Sequence, residues 1–440
     1  MSFYLIGIKG AGVSALALIL KDLGYKVVGY DDTTTFEFTE VGLLKRKVKY
    51  YVDEPNPNLT KETIVIRSSA ISDSHPEIIK AKELGCEIYD LFEYIGKLTF
   101  DYDTISIAGC HGKTTTSAML TKVMKKAIGV NYYIGDGSGR ASSKNNIFIA
   151  EACEYRHHFM SYDSNVSVIT NIDNDHLDYF KDLDDIKNTF KEFANKTHNY
   201  VVACGDDQNI RDLDIKTSVL YYGTNSNNDI VATNLEQSEK GMIFDVEIKG
   251  ELYGSFVLPI FGEHQLLNTL AVIGVCYLYK VDPQVIQNEL KKFRGAARRF
   301  AEVKIGDNIV VDDYAHHSTE VLATIKTARH KYPDKKLIVI FEPHSFNRVV
   351  DLNKEFADAL NLADESFVLP IYPSRDNPAD YPGVTSDMII NQLNHGELIY
   401  MDEVNKLYDY KNSVFLFMSL KEIHELKEDL ITYLESKKEE

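Results

Sequence analysis

The sequence predicts an α/β protein made of three sheets wrapped by helices, and three observations carry that prediction. Short β-branched runs alternate with amphipathic helical stretches in three successive blocks, the pattern in which strands are covered on both faces and each crossover is a helix. The first two blocks each open on a strand, a glycine-rich turn and a helix, at Phe3–Gly12 and Ile105–Thr116, the local arrangement that receives nucleotide phosphates. The length, 440 residues, allows about three domains of ~150 residues, each with its own core.

The first block covers residues 1–100 and reads as Rossmann-like. Phe3-Tyr-Leu-Ile-Gly-Ile8 is its opening strand, Gly7-Ile-Lys-Gly-Ala-Gly12 its turn, Val13 to Leu23 its first helix, and Lys26 to Asp31 and Thr63 to Ser68 its next strands. Glycines such as Gly10 and Gly12 let the backbone approach a diphosphate at the helix N-terminus, and an acidic residue about 20 positions on, here Asp31, is placed to hydrogen-bond a ribose or base. Lys9 stands where the dinucleotide fingerprint has glycine. A nicotinamide-dependent dehydrogenase is therefore the rival reading of this block alone, and a nucleotide-linked substrate is the preferred one. Ser68 and Ser69, after the third strand, either add contacts to that substrate or cap a helix.

The second block, residues 101–296, is a central P-loop ATPase-type domain. In Ile105-Ser-Ile-Ala-Gly-Cys-His-Gly-Lys-Thr-Thr-Thr116 a β-branched strand enters a tight turn and a Lys-Thr pair that opens a helix. Backbone N–H groups face the anion, Lys113 reaches the β/γ oxygens, and the Thr114 hydroxyl is placed to ligate Mg²⁺. The common pattern has a glycine where Ile107 stands, so the turn is the shorter Gly109-Cys-His-Gly-Lys-Thr114. Strands near Ile147 to Ala152 and Val166 to Ile172 lead to Glu151 and His176, and strand ends beside a phosphate loop converge on the nucleotide. Glu151 is the expected hard ligand for Mg²⁺, and His176 either ligates, bonds a phosphate or orients a water. Arg156-His157-His158 is set aside as a site, because consecutive residues of one short segment point to different sides. Asp229 to Pro259 alternates like an antiparallel hairpin region.

The third block, residues 297–440, is again Rossmann-like, with strands at Asn308 to Asp312, Lys336 to Phe341, Ser366 to Pro370 and Val414 to Phe417. A net charge of −18 excludes a nonspecific nucleic-acid binder and an anionic-membrane protein, which need a basic footprint. The longest apolar run, Val13 to Leu20, is too short for a bilayer and no leader precedes it, so the expected location is the cytoplasm. The five cysteines, Cys86, Cys110, Cys153, Cys204 and Cys276, form no Cys-x-x-Cys pair. They read as reduced, with Cys110 a small turn residue.

These motifs give the chain a resemblance to the Mur ligases, ATP-dependent amide-bond-forming enzymes of peptidoglycan precursor synthesis. The resemblance covers nearly the whole chain. It rests on Gly7–Gly12, Ser68-Ser-Ala-Ile71, Gly109–Thr116, Glu151-Ala-Cys-Glu154, Thr170-Asn-Ile-Asp-Asn-Asp-His176, Gly262-Glu-His-Gln-Leu-Leu-Asn268, Arg298-Arg-Phe300, Asp312-Asp-Tyr-Ala-His-His317 and Pro343-His-Ser-Phe-Asn-Arg348, in that order. It implies a three-domain Mur ligase architecture, with ATP and Mg²⁺ as cofactors and UDP-N-acetylmuramate and L-alanine as substrates. It implies further that Lys113, with Gly109, Cys110, His111, Gly112 and Thr115, binds the ATP phosphates, while Thr114, Glu151 and His176 hold Mg²⁺. His264 and Asn268 would lie along adenine, Arg298 or Arg299 would reach across to ATP, and Asp313 would contact its ribose. His316, His344 and Arg348 would line the amino-acid pocket, and Gly10, Gly12 and Asp31 would hold the UDP moiety.

On this reading the γ-phosphoryl group passes to the muramoyl carboxylate, and the amine then attacks the acyl phosphate. Lys113, His316 and Arg348 are the expected catalytic residues, with His316 the preferred base and Asp312 or Asp313 the group that would fix its ring. Hinge closure is expected near Gly295-Ala-Ala297 and Asp101-Tyr-Asp103, in a monomer or homodimer. Three departures bear on the resemblance: Gln265 replaces a frequent Asn, Ser318 a usual Pro, and Phe417-Met-Ser-Leu-Lys-Glu422 a Gly-Ala-Gly turn. A Mur-type ligase for a later amino acid or a recycled peptide, a folate polyglutamating enzyme and a non-catalytic phosphate-binding module are the other readings.

Overall fold

The computed structural model describes residues 1–52, 59–238, 241–295, 298–374, 376–419 and 423–437. The chain packs as two compact units, Met1–Glu236 with Met242–Pro259 and Leu267–Phe293, and Gln237–Gly241 with Ile260–Leu266 and Arg294–Glu440. The three sheets lie within Ser2–Asp90, Asp103–Leu258 and Ala301–Met418.

The first unit contains two sheets. In the first, β1 (Ser2–Ile6), β2 (Lys26–Asp31), β3 (Lys49–Val52), β4 (Thr63–Arg67) and β5 (Glu87–Asp90) pair in parallel in the order β3-β2-β1-β4-β5. The chain leaves β1 towards one edge and returns on its other side at β4, so the order reverses at the C-terminal end of β1, where an α/β sheet opens its ligand crevice. Helix α1 (Ala11–Asp22) begins there, two residues earlier than its apolar pattern indicated. Every residue from Val13 to Leu20 is buried, because α1 is covered on two sides, by its own sheet and by a hairpin of the next one. That accounts for an apolar run with no polar face. Helices α2 (Glu40–Lys45), α3 (Pro76–Glu83) and α4 (Leu91–Thr99) complete this layer.

The second sheet has ten strands: β6 (Asp103–Ala108), β7 (Asn131–Tyr133), β8 (Gly139–Arg140), β9 (Ile147–Glu151), β10 (Val166–Ile169), β11 (Tyr200–Cys204), β12 (Ser218–Gly223), β13 (Ile230–Ser238), β14 (Gly241–Ile248) and β15 (Glu251–Leu258). Their order is β15-β14-β13-β12-β11-β10-β6-β9-β7-β8. Strand β6 is flanked by β9 and β10, both parallel to it, so the ends of three strands face the helix that follows it, α5 (Lys113–Ala127). The expected hairpin is found as the antiparallel pair β14 and β15. Helices α6 (Leu183–Lys196), α7 (Gln208–Arg211), α8 (Glu263–Leu278) and α9 (Pro283–Leu290) follow in chain order.

The β7–β8 hairpin joins the two sheets. Gly139 lies so close to α1 that a Cβ there would stand 2.1 Å from the Ala15 carbonyl oxygen. Arg46 donates to Asp22 at 2.8 Å and to the Gly139 carbonyl at 3.3 Å. The Ala141 N–H donates to the same Asp22 carboxylate at 3.3 Å. The hinge expected at Asp101–Asp103 is instead a turn bonded into this unit, with the Asp103 N–H on the Asn146 carbonyl and the Thr104 hydroxyl on that of Thr99.

In the second unit β16 (Ala301–Ile305), β17 (Asn308–Asp313), β18 (Lys336–Phe341), β19 (Glu365–Val368), β20 (Gly396–Leu398) and β21 (Ser413–Met418) form a sheet ordered β16-β17-β21-β18-β19-β20. All pairs are parallel except β16 with β17, an edge hairpin the sequence pattern did not show. Alternate residues feed two cores: Val311, Val339 and Leu416 pack with Val321 and Ile325 of α10 (Ser318–Lys331) and Phe356 of α11 (Phe346–Leu360). Val310, Ile340 and Phe415 face Leu426 and Leu430 of α13 (His424–Ser436), α12 (Asp387–Ile390) being the short helix between. Within the two segments singled out from the sequence, residues 296–297 and 420–422 lie outside the described residues.

Substituting Gly139→Ala is expected to destabilise the protein by about 1–3 kcal/mol, the cost of overpacking a tight backbone contact. A thermal melt checks it, and an unchanged melting temperature would mean that the hairpin does not fix the first two sheets together.

Candidate active site

The turn after β6 is shaped by contacts that leave no room for side chains. Gly109 has φ +136°, and a Cβ there would sit 1.9 Å from the Thr170 hydroxyl. Gly112 has φ +81°, and its Cβ would meet the Asn268 amide oxygen at 2.6 Å. Both positions require glycine on conformation and on space. Three bonds tie the turn to the end of β10: the Thr170 hydroxyl and the Asn171 amide donate to the His111 carbonyl at 2.6 and 2.9 Å, and the His111 N–H donates to Asn171 Oδ1 at 2.8 Å. This is also why β10 stops at Ile169 rather than running to Ile172. The His111 ring bonds Asp173 at 3.0 Å. Cys110 is buried with its Sγ 3.4 Å from the Asp173 carbonyl oxygen. Burial pushes its thiol pKa up, with Glu154 and Asp175 adding to the effect, so it is an inert turn residue.

Lys113 folds back over the turn. Its Nζ donates to the Cys110 carbonyl at 3.1 Å and to both carboxylate oxygens of Glu154 at 2.9 Å. The Glu154 side chain is 1% exposed. Burial works against the Lys113 charge, but the Glu154 carboxylate outweighs it and raises the ammonium pKa. Thr114 donates its hydroxyl to Glu151 Oε1 at 2.9 Å, and the Gly135 N–H, at the tip of the β7–β8 hairpin, donates to Oε2 at 2.8 Å. Burial lifts the Glu151 carboxyl above its usual range, against the Gly135 bond and the Lys113 charge. His176 places Nε2 3.7 Å from Glu154 and 3.8 Å from Asp175, and these three residues bring ligand atoms within 4.8 Å of one another. Glu154 and Asp175 were not singled out in the sequence. The signal was the spacing of Glu154, three residues past Glu151, but a 3-10 turn with Arg156 and His157 at positive φ follows it. His158 stacks on Phe92 while His157 abuts Tyr179 and Phe180, so that cluster does disperse.

At the end of β1, Gly10 precedes the first turn of α1 and donates its N–H to the Gly7 carbonyl at 3.1 Å. Gly12 is required by packing, since a Cβ there would lie 2.7 Å from the Tyr133 hydroxyl and 2.8 Å from Leu91. The Asp31 carboxylate accepts the Lys9 N–H at 2.8 Å and the Thr33 N–H at 3.2 Å, so it organises the turn itself. Ser68 accepts the Ala70 N–H at 3.4 Å, and its Cβ would be 2.9 Å from one on Gly7. Ser69 is exposed.

In the second unit His316, His344 and Arg348 come together: the two imidazoles are 5.7 Å apart edge to face, and Arg348 Nη1 is 3.4 Å from His344 Nδ1. His316 Nδ1 lies 3.0 Å from the Tyr314 carbonyl oxygen and 3.1 Å from Glu320. Both partners are acceptors, so Nδ1 carries a proton. Glu320 and the Tyr314 carbonyl thus fix this ring, and the expectation for Asp312 or Asp313 is corrected. Asp312 instead binds Lys427 at 2.9 Å. Asp313 accepts the Phe300 and Ala315 N–H groups at 2.7 and 2.8 Å, and burial, opposed by Arg299, pushes its pKa up to about 6. Arg298 donates to the Ser419 carbonyl at 2.9 Å, Arg299 reaches Glu320 at 3.5 Å, and both guanidinium groups lie over the Tyr314 ring. His264 bonds Gln265 at 3.2 Å, and burial, reinforced by Arg299, holds its pKa down to about 4, so it is neutral at pH 7. Ser318, where a proline was expected, is simply the first residue of α10 behind a His317 N-cap.

A phosphate loop facing carboxylates at the strand-order reversal of one sheet, beside a second sheet with a glycine-rich turn at its own reversal, is the architecture of an enzyme that handles nucleotides. The comparisons with known proteins narrow the class. The Mur ligase family catalytic domain matches residues 2–102, the Mur ligase middle domain residues 107–276, and the Mur ligase glutamate ligase domain residues 298–416. The chain belongs to the Mur ligase family. It is 41% identical to the UDP-N-acetylmuramate–L-alanine ligase of Lactiplantibacillus plantarum over 96% of both chains, and 40% identical to that of Lacticaseibacillus paracasei over 98% of both. The crystal structure of the UDP-N-acetylmuramate-alanine ligase of Thermotoga maritima superposes with a TM-score of 0.82 at 26% identity, covering 99% of this chain and 100% of that one. A murein peptide ligase of Psychrobacter arcticus shares the fold, at 20% identity and a TM-score of 0.71 over 99% of this chain.

Removing Lys113 strands the Glu154 charge in the interior. Lys113→Ala is therefore expected to lower the stability of the nucleotide-free protein by about 3–5 kcal/mol, the penalty for breaking a buried pair from one side. Adding Glu154→Gln should restore most of it, and equal stabilities for the single and double variants, measured by urea unfolding, would contradict the pairing.

Proposed function

We propose that this chain is an ATP-dependent ligase that joins L-alanine to the carboxylate of UDP-N-acetylmuramate, releasing ADP and phosphate, in peptidoglycan precursor synthesis. The observation that carries the reading is the Lys113–Thr114 loop set against Glu151 and Glu154, in a chain whose full-length relatives bear that activity in their names. We assign the sugar nucleotide to residues 1–100, ATP to residues 101–296, and the amino acid to residues 297–440.

A carboxylate does not condense with an amine in water, so it must first acquire a leaving group. Transfer of the γ-phosphoryl group of ATP to the muramoyl carboxylate makes an acyl phosphate. The neutral amine of alanine then adds to its carbonyl, and the tetrahedral intermediate expels phosphate as the amide forms. The work of the protein is positioning and charge neutralisation. In this account the ATP phosphates take Lys113 from Glu154, and the N–H groups of Gly109–Thr115 face them. His264 and Asn268 lie along the adenine, and Arg298, Arg299 and Asp313 complete the nucleotide site from the third block. The Nε2 atom of His316 takes the proton from the incoming ammonium while Tyr314 and Glu320 hold the opposite edge, and His344 and Arg348 bind the substrate carboxylates. Gly10, Gly12, Asp31, Ser68 and Ser69 form the UDP site.

The donor set of Thr114 and Glu151 consists of oxygens, which suits Mg²⁺, and the His176 ring lies against Glu154 and Asp175. These residues would hold the ion, which supplies charge neutralisation on the transferring phosphoryl group. Among the described residues no helix is long and apolar enough to cross a membrane, and we place the reaction in the cytoplasm, where ATP and nucleotide sugars are available.

Purified protein given ATP, Mg²⁺ and UDP-N-acetylmuramate should release phosphate with L-alanine and far less with D-glutamate, glycine and L-serine marking the width of the pocket. Lys113→Ala, folded by circular dichroism, should lose at least ~100-fold in turnover, the scale of a lost preorganised charge contact. Phosphate release that ignores the sugar nucleotide, or that survives in the variant, would defeat the assignment.

A further inference from the structure

The turn after β1 carries Lys9 at a position from which an ammonium could reach a diphosphate at the start of α1. The structure turns it the other way. Lys9 is 5% exposed, and its Nζ donates to the Thr35 carbonyl at 2.8 Å and lies 3.4 Å from Glu40 Oε2, with both charged side chains almost wholly buried. Glu40 is occupied at each oxygen: the Tyr50 hydroxyl donates to Oε1, and the Glu37 N–H donates to Oε2 at 2.6 Å. Burial disfavours the Glu40 carboxylate, but the Tyr50, Glu37 and Lys9 contacts prevail and hold its pKa below the ordinary range. The Thr39 hydroxyl donates to the Lys9 carbonyl at 2.6 Å. Together with the Asp31 bonds to the Lys9 and Thr33 N–H groups, these contacts bind the segment between Asp31 and Glu40 to the glycine-rich turn.

Burying two opposite charges is unfavourable unless every remaining valence is met, so a buried pair is weak evidence of added stability. What this pair fixes is a strap of residues 32–39. Its far end, Phe38 and Thr39, packs against Gly137 of the β7–β8 hairpin, where a Cβ would be 3.0 Å from Thr39 Cγ2, and the same hairpin supplies the Gly135 N–H to Glu151. The strap is therefore bonded to the turn through Thr35 and Thr39, and its Thr39 end also touches the support of the phosphate-loop carboxylate.

We propose that Lys9, Glu40 and Tyr50 form a buried clamp that sets the 32–39 strap beside the glycine-rich turn, so that Lys9 is a positioning residue for the sugar nucleotide and not a ligand of its diphosphate. The proposal rests on the reading that this turn holds the UDP moiety. It explains why a lysine occupies a position normally given to glycine: the side chain is directed into the strap, away from the space a diphosphate would need.

Steady-state kinetics of the full-length protein with four variants tests it. Lys9→Met and Glu40→Gln should each raise KM for UDP-N-acetylmuramate by about tenfold, the worth of a charge-assisted hydrogen bond. KM for ATP and kcat should stay within about twofold, and the double variant should be no worse than either single one, as expected for residues acting as a unit. Tyr50→Phe, which removes one oxygen and is the mildest change, should shift the same KM in the same direction. If Lys9→Met raises KM while Glu40→Gln leaves it unchanged or lowers it, Lys9 is a direct phosphate ligand and the clamp is refuted. Melting temperatures that fall with no change in KM, or effects that multiply in the double variant, refute it as well. Gly10→Asp places a carboxylate at the N-terminus of α1 and separates the two ideas: unchanged KM for the sugar nucleotide removes the site assignment itself, whereas a raised KM beside wild-type behaviour of the clamp variants removes the clamp alone.

Discussion

The ion pair between Lys113 and Glu154 is the constraint around which the first unit is organised. A lysine at the N-terminus of α5 would face the positive end of that helix and the inward-pointing N–H groups of the turn, an unfavourable setting for a cation. Glu154 offsets that field from the neighbouring strand end, with both oxygens 2.9 Å from the ammonium. The same field makes the turn attractive to phosphates. In the proposed reaction a triphosphate would supply the negative charge that Glu154 provides here, and Lys113 would pass from one to the other. Glycines at 109 and 112, the Thr170–Asn171 brace and the Glu151–Thr114–Gly135 contacts hold the turn and its carboxylates in one small volume.

Much of the fold was legible because buried parallel strands are written as short apolar runs between turns. Lys26–Asp31 and Lys336–Phe341 were read to the residue, since each is bounded by a helix end or a turn on one side and a functional loop on the other. The strands β7 and β8, three and two residues long, leave no periodic signal, yet they join the first two sheets. Strand β16 was hidden for another reason: four of its five residues are exposed, so neither face of it repeats. The helix α1 shows the converse case, where an unbroken apolar run is explained only by a second covering surface that lies more than a hundred residues further on.

The candidate site was legible as a set of residue types and less so as a set of partners. Gly109, Gly112, Lys113, Thr114, Glu151 and His176 could be picked out because each chemistry tolerates few alternatives. Glu154 was visible but unassigned, as its approach to Lys113 depends on a 3-10 turn with two left-handed residues that no spacing rule anticipates. For His316 the informative signal lay in the sequence: Glu320 stands four residues on, where the first turn of α10 brings it back in a capping box with His317. Adjacent acids at 312 and 313 drew attention instead, although strand geometry sends them to opposite faces. Asp31 gives the same lesson, since its expected partner was a ligand and its observed partners are the backbone of its own turn.

The central claim is that the phosphate loop serves phosphoryl transfer to a carboxylate, and isotope transfer tests it most directly. With UDP-N-acetylmuramate labelled with oxygen-18 in both carboxylate oxygens, mass spectrometry of the products locates the bond that was made. The account predicts one labelled oxygen in the released inorganic phosphate and one in the amide carbonyl. Label found in AMP, or phosphate released without any, would contradict it.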